Sequence, residues 1–153
     1  MRARATSQTE SALTPWVCLL RGHASVRRTL TAQLQSSHGL TVNDYEALVL
    51  LARAEAGHMR RVDLADGLQL TPSGVTRLLD GLEEQGLVKK LGCPGDGRVT
   101  YAALTGKGRR KLEQAAAAHT AAIRVLFEER YTQKELALLA ELLARLPGAG
   151  AKI

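Results

Sequence analysis

The sequence predicts a mainly α-helical fold with one small β-wing, and three observations predict it. Thr71-Pro72, an apolar stripe at Val75, Leu78, Leu79 and Leu82, and a stop at Gly86 describe a capped amphipathic helix. Two short strand-like runs, 87–90 and 99–104, flank a loop dense in turn formers, Gly92-Cys93-Pro94-Gly95-Asp96-Gly97-Arg98. Apolar residues recur at helical spacing on both sides of this unit.

The elements follow in order. Residues 1–12 are polar and read as a disordered arm. Leu13, Trp16, Val17, Leu20, Ala24, Leu30 and Leu34 predict a long helix from about Thr14, with Pro15 in its first turn and Gly39 at its end. A second helix spans about 42–56, capped by Thr41 or Asn43 and stopped by Gly57. A short helix over 61–68 precedes the one opened by Thr71-Pro72. After the wing, Thr105 caps a long helix reaching about Arg130. A last helix, about 132–146, carries Leu136, Leu139, Leu143 and Leu146 on one side.

The organisation expected is an arm (1–12), an N-terminal dimerisation helix (13–40), a helix-turn-helix with its wing (41–106), C-terminal dimerisation helices (107–147) and a flexible tail (148–153). The terminal helices carry more apolar surface than one small winged helix covers. A two-fold dimer buries it most simply, and a closed helical bundle within one chain is the alternative.

Charge is local. From Leu87 to Lys111 the cations are Lys89, Lys90, Arg98, Lys107, Arg109, Arg110 and Lys111, against the single acid Asp96. That segment carries the whole chain's net charge of +6, which points to a polyanionic partner facing the wing. No run of apolar residues spans a membrane and no signal core opens the chain, so a cytoplasmic location is expected. Cys18 and Cys93 make no disulfide framework. His23, His38, His58 and His119 have no metal-ligand spacing. No nucleophile–base set or phosphate-cradling loop occurs, so neither enzyme activity, metal nor cofactor is expected.

The run LADGLQLTPSGVTRLLDGLEEQGLV and the wing ending DGRVTYAALTGKG, with six helices and a wing between the fourth and fifth, resemble the MarR family of bacterial transcription regulators. The resemblance spans about residues 13–146. It implies a winged helix-turn-helix core, a homodimer joined through the terminal helices, and a pseudo-palindromic double-stranded DNA operator. It also implies repression released by a small molecule or an oxidant.

On this reading 72–85 is the recognition helix. Ser73, Thr76, Arg77 and Asp80 project outward from it, Thr71 caps it, and Gly74 leaves room for close approach to DNA. Hydroxyls at a helix N-terminus suit phosphates or base edges, and Arg77 has the fork for guanine or phosphate. An ion pair of Arg77 with Asp80 or Glu84 is the bland alternative. The resemblance places Arg98 in the minor groove, braced by Asp96, while Gly97 stands where the family often has a second arginine. Lys89, Lys90 and Lys107 read as phosphate contacts.

For an effector, Trp16, Leu20, His23 and Arg27 share one face of the first helix and would suit an aromatic carboxylate or phenolate. Alternatively, Arg27 snorkels or pairs across the dimer and His23 is a satisfied interface residue. Cys18 and Cys93 are candidate redox thiols, Cys18 with help from Arg21. A buried, inert Cys18 and an incidental surface Cys93 are the plainer alternatives. A winged helix turned to protein binding is the competing class.

Overall fold

The computed structural model describes residues 3–93 and 96–148, without the side chains of 3–11, 93 and 96–98. The order is α1 (Ala3–His38), α2 (Val42–Arg53), β1 (His58–Arg60), α3 (Arg61–Leu68), α4 (Pro72–Glu84), β2 (Val88–Cys93), β3 (Asp96–Leu104), α5 (Gly106–Glu128) and α6 (Gln133–Leu143). The fold is mainly helical with one small antiparallel sheet, as the sequence predicts.

Side chains set the helix starts. Thr41 takes the Asp44 amide on its hydroxyl (3.1 Å), while Asp44 accepts from the Thr41 N–H (2.8 Å), a reciprocal cap. Thr132 and Glu135 repeat the device at α6. Thr71 accepts from the Gly74 amide at 3.1 Å and Thr105 from the Gly108 amide at 3.0 Å. Gly39, Gly57 and Gly86 stop the preceding helices and their turns with φ between 67° and 70°. The turn between α3 and α4 has no glycine. Gln69 itself takes φ 53°, letting the Leu70 amide reach the Ala65 carbonyl at 2.9 Å.

Three elements differ from expectation. α1 begins at Ala3, inside the stretch read as a disordered arm, and Pro15 lies within the helix instead of in its first turn. Ala, Arg, Gln and Glu in that stretch are good helix formers, and one proline removes only one donor. The wing strands run further into the loop, to Cys93 and from Asp96, because backbone pairing extends through turn-forming residues. A third strand, β1, completes the sheet in the order β1-β3-β2, with His58 opposite Ala103 and Arg60 opposite Tyr101. The tail expected over 148–153 lies outside the described residues beyond Gly148.

The core gathers Leu34 from α1, Leu48 and Leu51 from α2, Leu64 from α3, Val75, Leu79 and Leu82 from α4, Leu87 from the turn before β2, and Val88 and Ala102 from the sheet. It closes beneath α4, whose buried stripe fixes which of its faces looks outward. α6, by contrast, buries no residue within the chain.

Gly108 marks the tightest approach. A Cβ there would lie 2.0 Å from the Leu87 carbonyl oxygen and 2.8 Å from Leu104 Cδ1. Gly108→Ala is expected to lower unfolding free energy by at least about 2 kcal/mol, read by urea denaturation. In the same assay Gln69→Gly should raise it by about 0.5 kcal/mol by relieving a left-handed side-chain-bearing residue.

Candidate nucleic-acid interface

α4 presents an outward face of Ser73, Thr76, Arg77, Asp80 and Glu83 opposite its buried stripe, as residues spaced three and four apart must. Ser73 and Arg77 are exposed. Among the described residues Arg77 makes no ion pair with Asp80 or Glu84. Two hydroxyls at the start of this helix are already used. Thr71 holds the Gly74 amide and lies 3.2 Å from the Ser73 hydroxyl. Thr76 donates to the Pro72 carbonyl at 2.8 Å and accepts a long contact, 3.4 Å, from Arg61. A Cβ on Gly74 would sit 3.1 Å from Thr71 Oγ1, so this glycine serves the cap.

The three lysines read as phosphate contacts divide. Lys89 is exposed and, among the described residues, has no partner. Lys90 is held by α4: its ammonium bonds Asp80 and lies 2.9 Å from Glu83 Oε2, and its backbone N–H donates to Glu83 Oε1 at 3.0 Å. Its hydrogen bonds to Asp80 and then Glu83 push the Lys90 pKa above the usual lysine value, and Lys90 in turn holds the Glu83 carboxyl below its own. Lys107 donates to the Gln85 carbonyl at 2.7 Å, covering the C-terminal end of α4. The backbone of Asp96 and Arg98 lies in β3 and that of Cys93 in β2, while their side chains lie outside the described residues.

The sequence reading placed α3 but missed what the two arginines at its start do. Arg60 forms a two-pronged pair with Asp63, at 2.8 and 2.9 Å, and Arg61 bridges α3 to Thr76. The Arg60-Arg61 doublet was the available signal. It reads as ordinary surface charge until β1 is known to end there.

The proposed effector face is not assembled as expected. Trp16 and Leu20 are 57% and 53% exposed, and His23 is exposed. Arg27 turns onto α2 instead, 3.2 Å from Glu46 and bonded to Asn43, so its charge is already matched. The Cys18 thiol is exposed in the single chain, which corrects its expected burial: it sits on a part of α1 that nothing in the chain covers.

The polar group inside the junction is His119. It is 6% exposed on α5 and packs against the Tyr45 ring of α2 with centroids 4.5 Å apart. Its Nδ1 and the Gln33 Oε1 are buried without partners among the described residues. Burial pushes the His119 pKa below 6.5, and Glu46 opposes that shift. Burial also raises the Tyr45 pKa, with Arg53 opposing it. No group of His, Cys, Asp and Glu among the described residues is arranged to hold a metal ion, and no described helix is long and apolar enough to cross a membrane.

A capped helix set against a basic β-ribbon on a three-helix core defines the winged helix-turn-helix class of DNA-binding proteins. The family model of the MarR family matches residues 38–99. The chain is 34% identical to AbsC, a MarR family transcriptional regulator from Streptomyces coelicolor. That alignment covers 82% of this chain and 87% of that one, with a TM-score of 0.69. Sco3205 from the same organism, solved in complex with DNA, is 29% identical over 88% of this chain and 83% of that one, with a TM-score of 0.77. CouR from Rhodococcus jostii RHA1, solved with p-coumaroyl-CoA, is 29% identical over 88% of this chain and 91% of that one, with a TM-score of 0.69. The chain belongs to the MarR family and is a transcriptional regulator, not an enzyme.

The buried imidazole makes stability depend on pH. With its folded pKa lowered, the unfolded chain binds more protons as pH falls. His119 therefore contributes stability fully above 6.5, lost as pH drops towards the lowered folded value. The melting temperature should fall between about pH 7 and pH 5 more steeply in the wild type than in His119→Gln. Parallel curves would remove His119 from the account.

Proposed function

We propose that this chain is a homodimeric repressor that reads a pseudo-palindromic operator with α4 in the major groove and the β2–β3 wing beside it. One observation carries the reading: the outward face of α4 keeps Ser73 and Arg77, unpaired among the described residues, exposed at its N-terminal half, next to a basic wing. Ser73 and Arg77 meet bases or phosphates, Lys89 meets phosphate, and Arg98 enters the minor groove with Asp96 as its brace. Thr71, Gly74 and Thr76 shape the helix start that presents them. The DNA complex of Sco3205 supports this use of the fold.

The exposed apolar residues support the dimer. Leu13, Trp16, Val17 and Leu20 on α1, Val125 on α5, and Leu138, Leu142 and Leu146 in and after α6 stand open in the single chain. An 11-residue helix without buried contacts does not hold its shape in water. A second copy packing on these faces supplies the missing burial and sets two recognition helices against two half-sites.

We also propose that a small organic effector acts at the junction of α1, α2 and α5. The buried, unpartnered polar atoms of Gln33 and His119 beside the Tyr45 ring favour an aromatic ligand bearing a hydroxyl or another hydrogen-bonding group. CouR, bound to p-coumaroyl-CoA, supports such responsiveness. A panel of aromatic acids and phenols should contain members that raise the melting temperature and release DNA. No response in a protein that binds DNA discards this junction as the effector site.

Two substitutions test the reading of DNA. Arg77→Ala and Arg98→Ala should each weaken operator binding at least about tenfold and leave the dimer intact. Unchanged affinity at moderate salt removes that residue from the interface. Leu138→Asp with Leu142→Asp should yield monomers by light scattering and abolish tight operator binding. A dimer that persists locates the subunit contact elsewhere.

A further inference from the structure

The recognition helix is acidic. From Pro72 to Glu84 it carries Arg77 against Asp80, Glu83 and Glu84, a net of −2. Duplex DNA presents one negative charge per about 1.7 Å of its axis, so such a helix meets repulsion as it enters the groove. Asp80 also lies three residues from Arg77, within reach of an ion pair that would occupy the helix's one cation. Yet Arg77 is unpaired among the described residues, and Asp80 is taken by a lysine from the wing.

We infer that Lys90 is a built-in counter-ion of the recognition helix, a positioning residue that holds Asp80 and Glu83 and so leaves Arg77 free for DNA. This rests on the DNA-reading function proposed above. The geometry is specific. The Lys90 ammonium sits between the two carboxylates, and its backbone N–H takes the second oxygen of Glu83 at 3.0 Å. One residue of β2 thus fastens two successive turns of α4. The wing and the helix are tied into one reading head, and the acids of the outward face are matched before DNA arrives. An ammonium already shared by two carboxylates releases little on meeting a phosphate, so Lys90 is not itself the phosphate contact that its place in a basic segment suggests. If the lysine is lost, Asp80 turns to Arg77, and Glu83 faces the DNA unneutralised.

A mutant cycle separates this role from a direct contact. The probe is a labelled mixed-sequence duplex, titrated by fluorescence anisotropy across a salt series. The variants are wild type, K90M, D80N/E83Q and the triple variant, with K90Q as a second neutral replacement. Melting temperatures establish that each is folded. The counter-ion role predicts that K90M and K90Q weaken binding about tenfold, with a shallower salt slope because Arg77 is withdrawn. D80N/E83Q should change affinity less than about threefold when Lys90 is present, yet restore affinity and slope when it is absent. Additive effects, with the triple variant still about one unit lower in salt slope, would overturn the inference and make Lys90 a phosphate contact. A wild type without salt-sensitive binding overturns the DNA-reading function itself. A wild type that binds with an additive cycle overturns only the role of Lys90.

Discussion

The carbonyl of Leu87 is the point on which the reading head depends. It accepts the Thr105 amide at 3.0 Å and the Thr105 hydroxyl at 3.0 Å, while that hydroxyl also reaches the Gly86 carbonyl at 2.7 Å. The Leu87 amide returns to the Leu82 carbonyl at 2.9 Å. The end of α4, the start of β2, the exit of β3 and the start of α5 therefore meet within a few bonds. Gly108 lets α5 come this close, since no side chain fits between it and the Leu87 oxygen. The Gly86 and Leu87 carbonyls lie just past the end of α4, and Thr105, which follows the wing, satisfies them. The C-terminal end of α4, the wing and the start of α5 thus share one junction.

A second layer of order is electrostatic. Lys90 fastens β2 to α4 through Asp80 and Glu83, and Lys107, from the first turn of α5, donates to the Gln85 carbonyl at the end of α4. These pairs are partly exposed and contribute little to stability. Their value lies in arrangement: they match the acids of an otherwise acidic helix and leave Arg77 open. The opposite end of the lobe is tied by Arg27 to Glu46 and by His119 against Tyr45, so α1 and α5 both grip α2.

The parts of this organisation that local chemistry decides were legible in the sequence. Thr71-Pro72 and Gly86 bracket α4, the Val75–Leu82 stripe orients it, and Thr105 starts α5. What was not legible needs register. β1 is three residues long, too short for an alternating pattern, and exists because β3 offers it an edge. Lys90 sits in a basic run and reads as solvated charge, since its approach to Asp80 follows only from how β2 leaves Gly86. Arg27 likewise shows helical spacing with Trp16 and Leu20 but turns to α2, because Glu46 and Asn43 stand opposite it. His119, one of four scattered histidines, becomes distinctive only when α5 lies on Tyr45. The start of α1 was misjudged because proline and polarity suggested a boundary where helix propensity carried the chain through.

The most direct test of the central claim, that two copies of this reading head engage DNA symmetrically, is a footprint on both strands of the DNA upstream of the protein's own gene. The account predicts two protected half-sites about one helical turn apart, related by a dyad, with minor-groove protection flanking each major-groove contact. A single protected patch without a dyad on DNA that the protein binds tightly would contradict it.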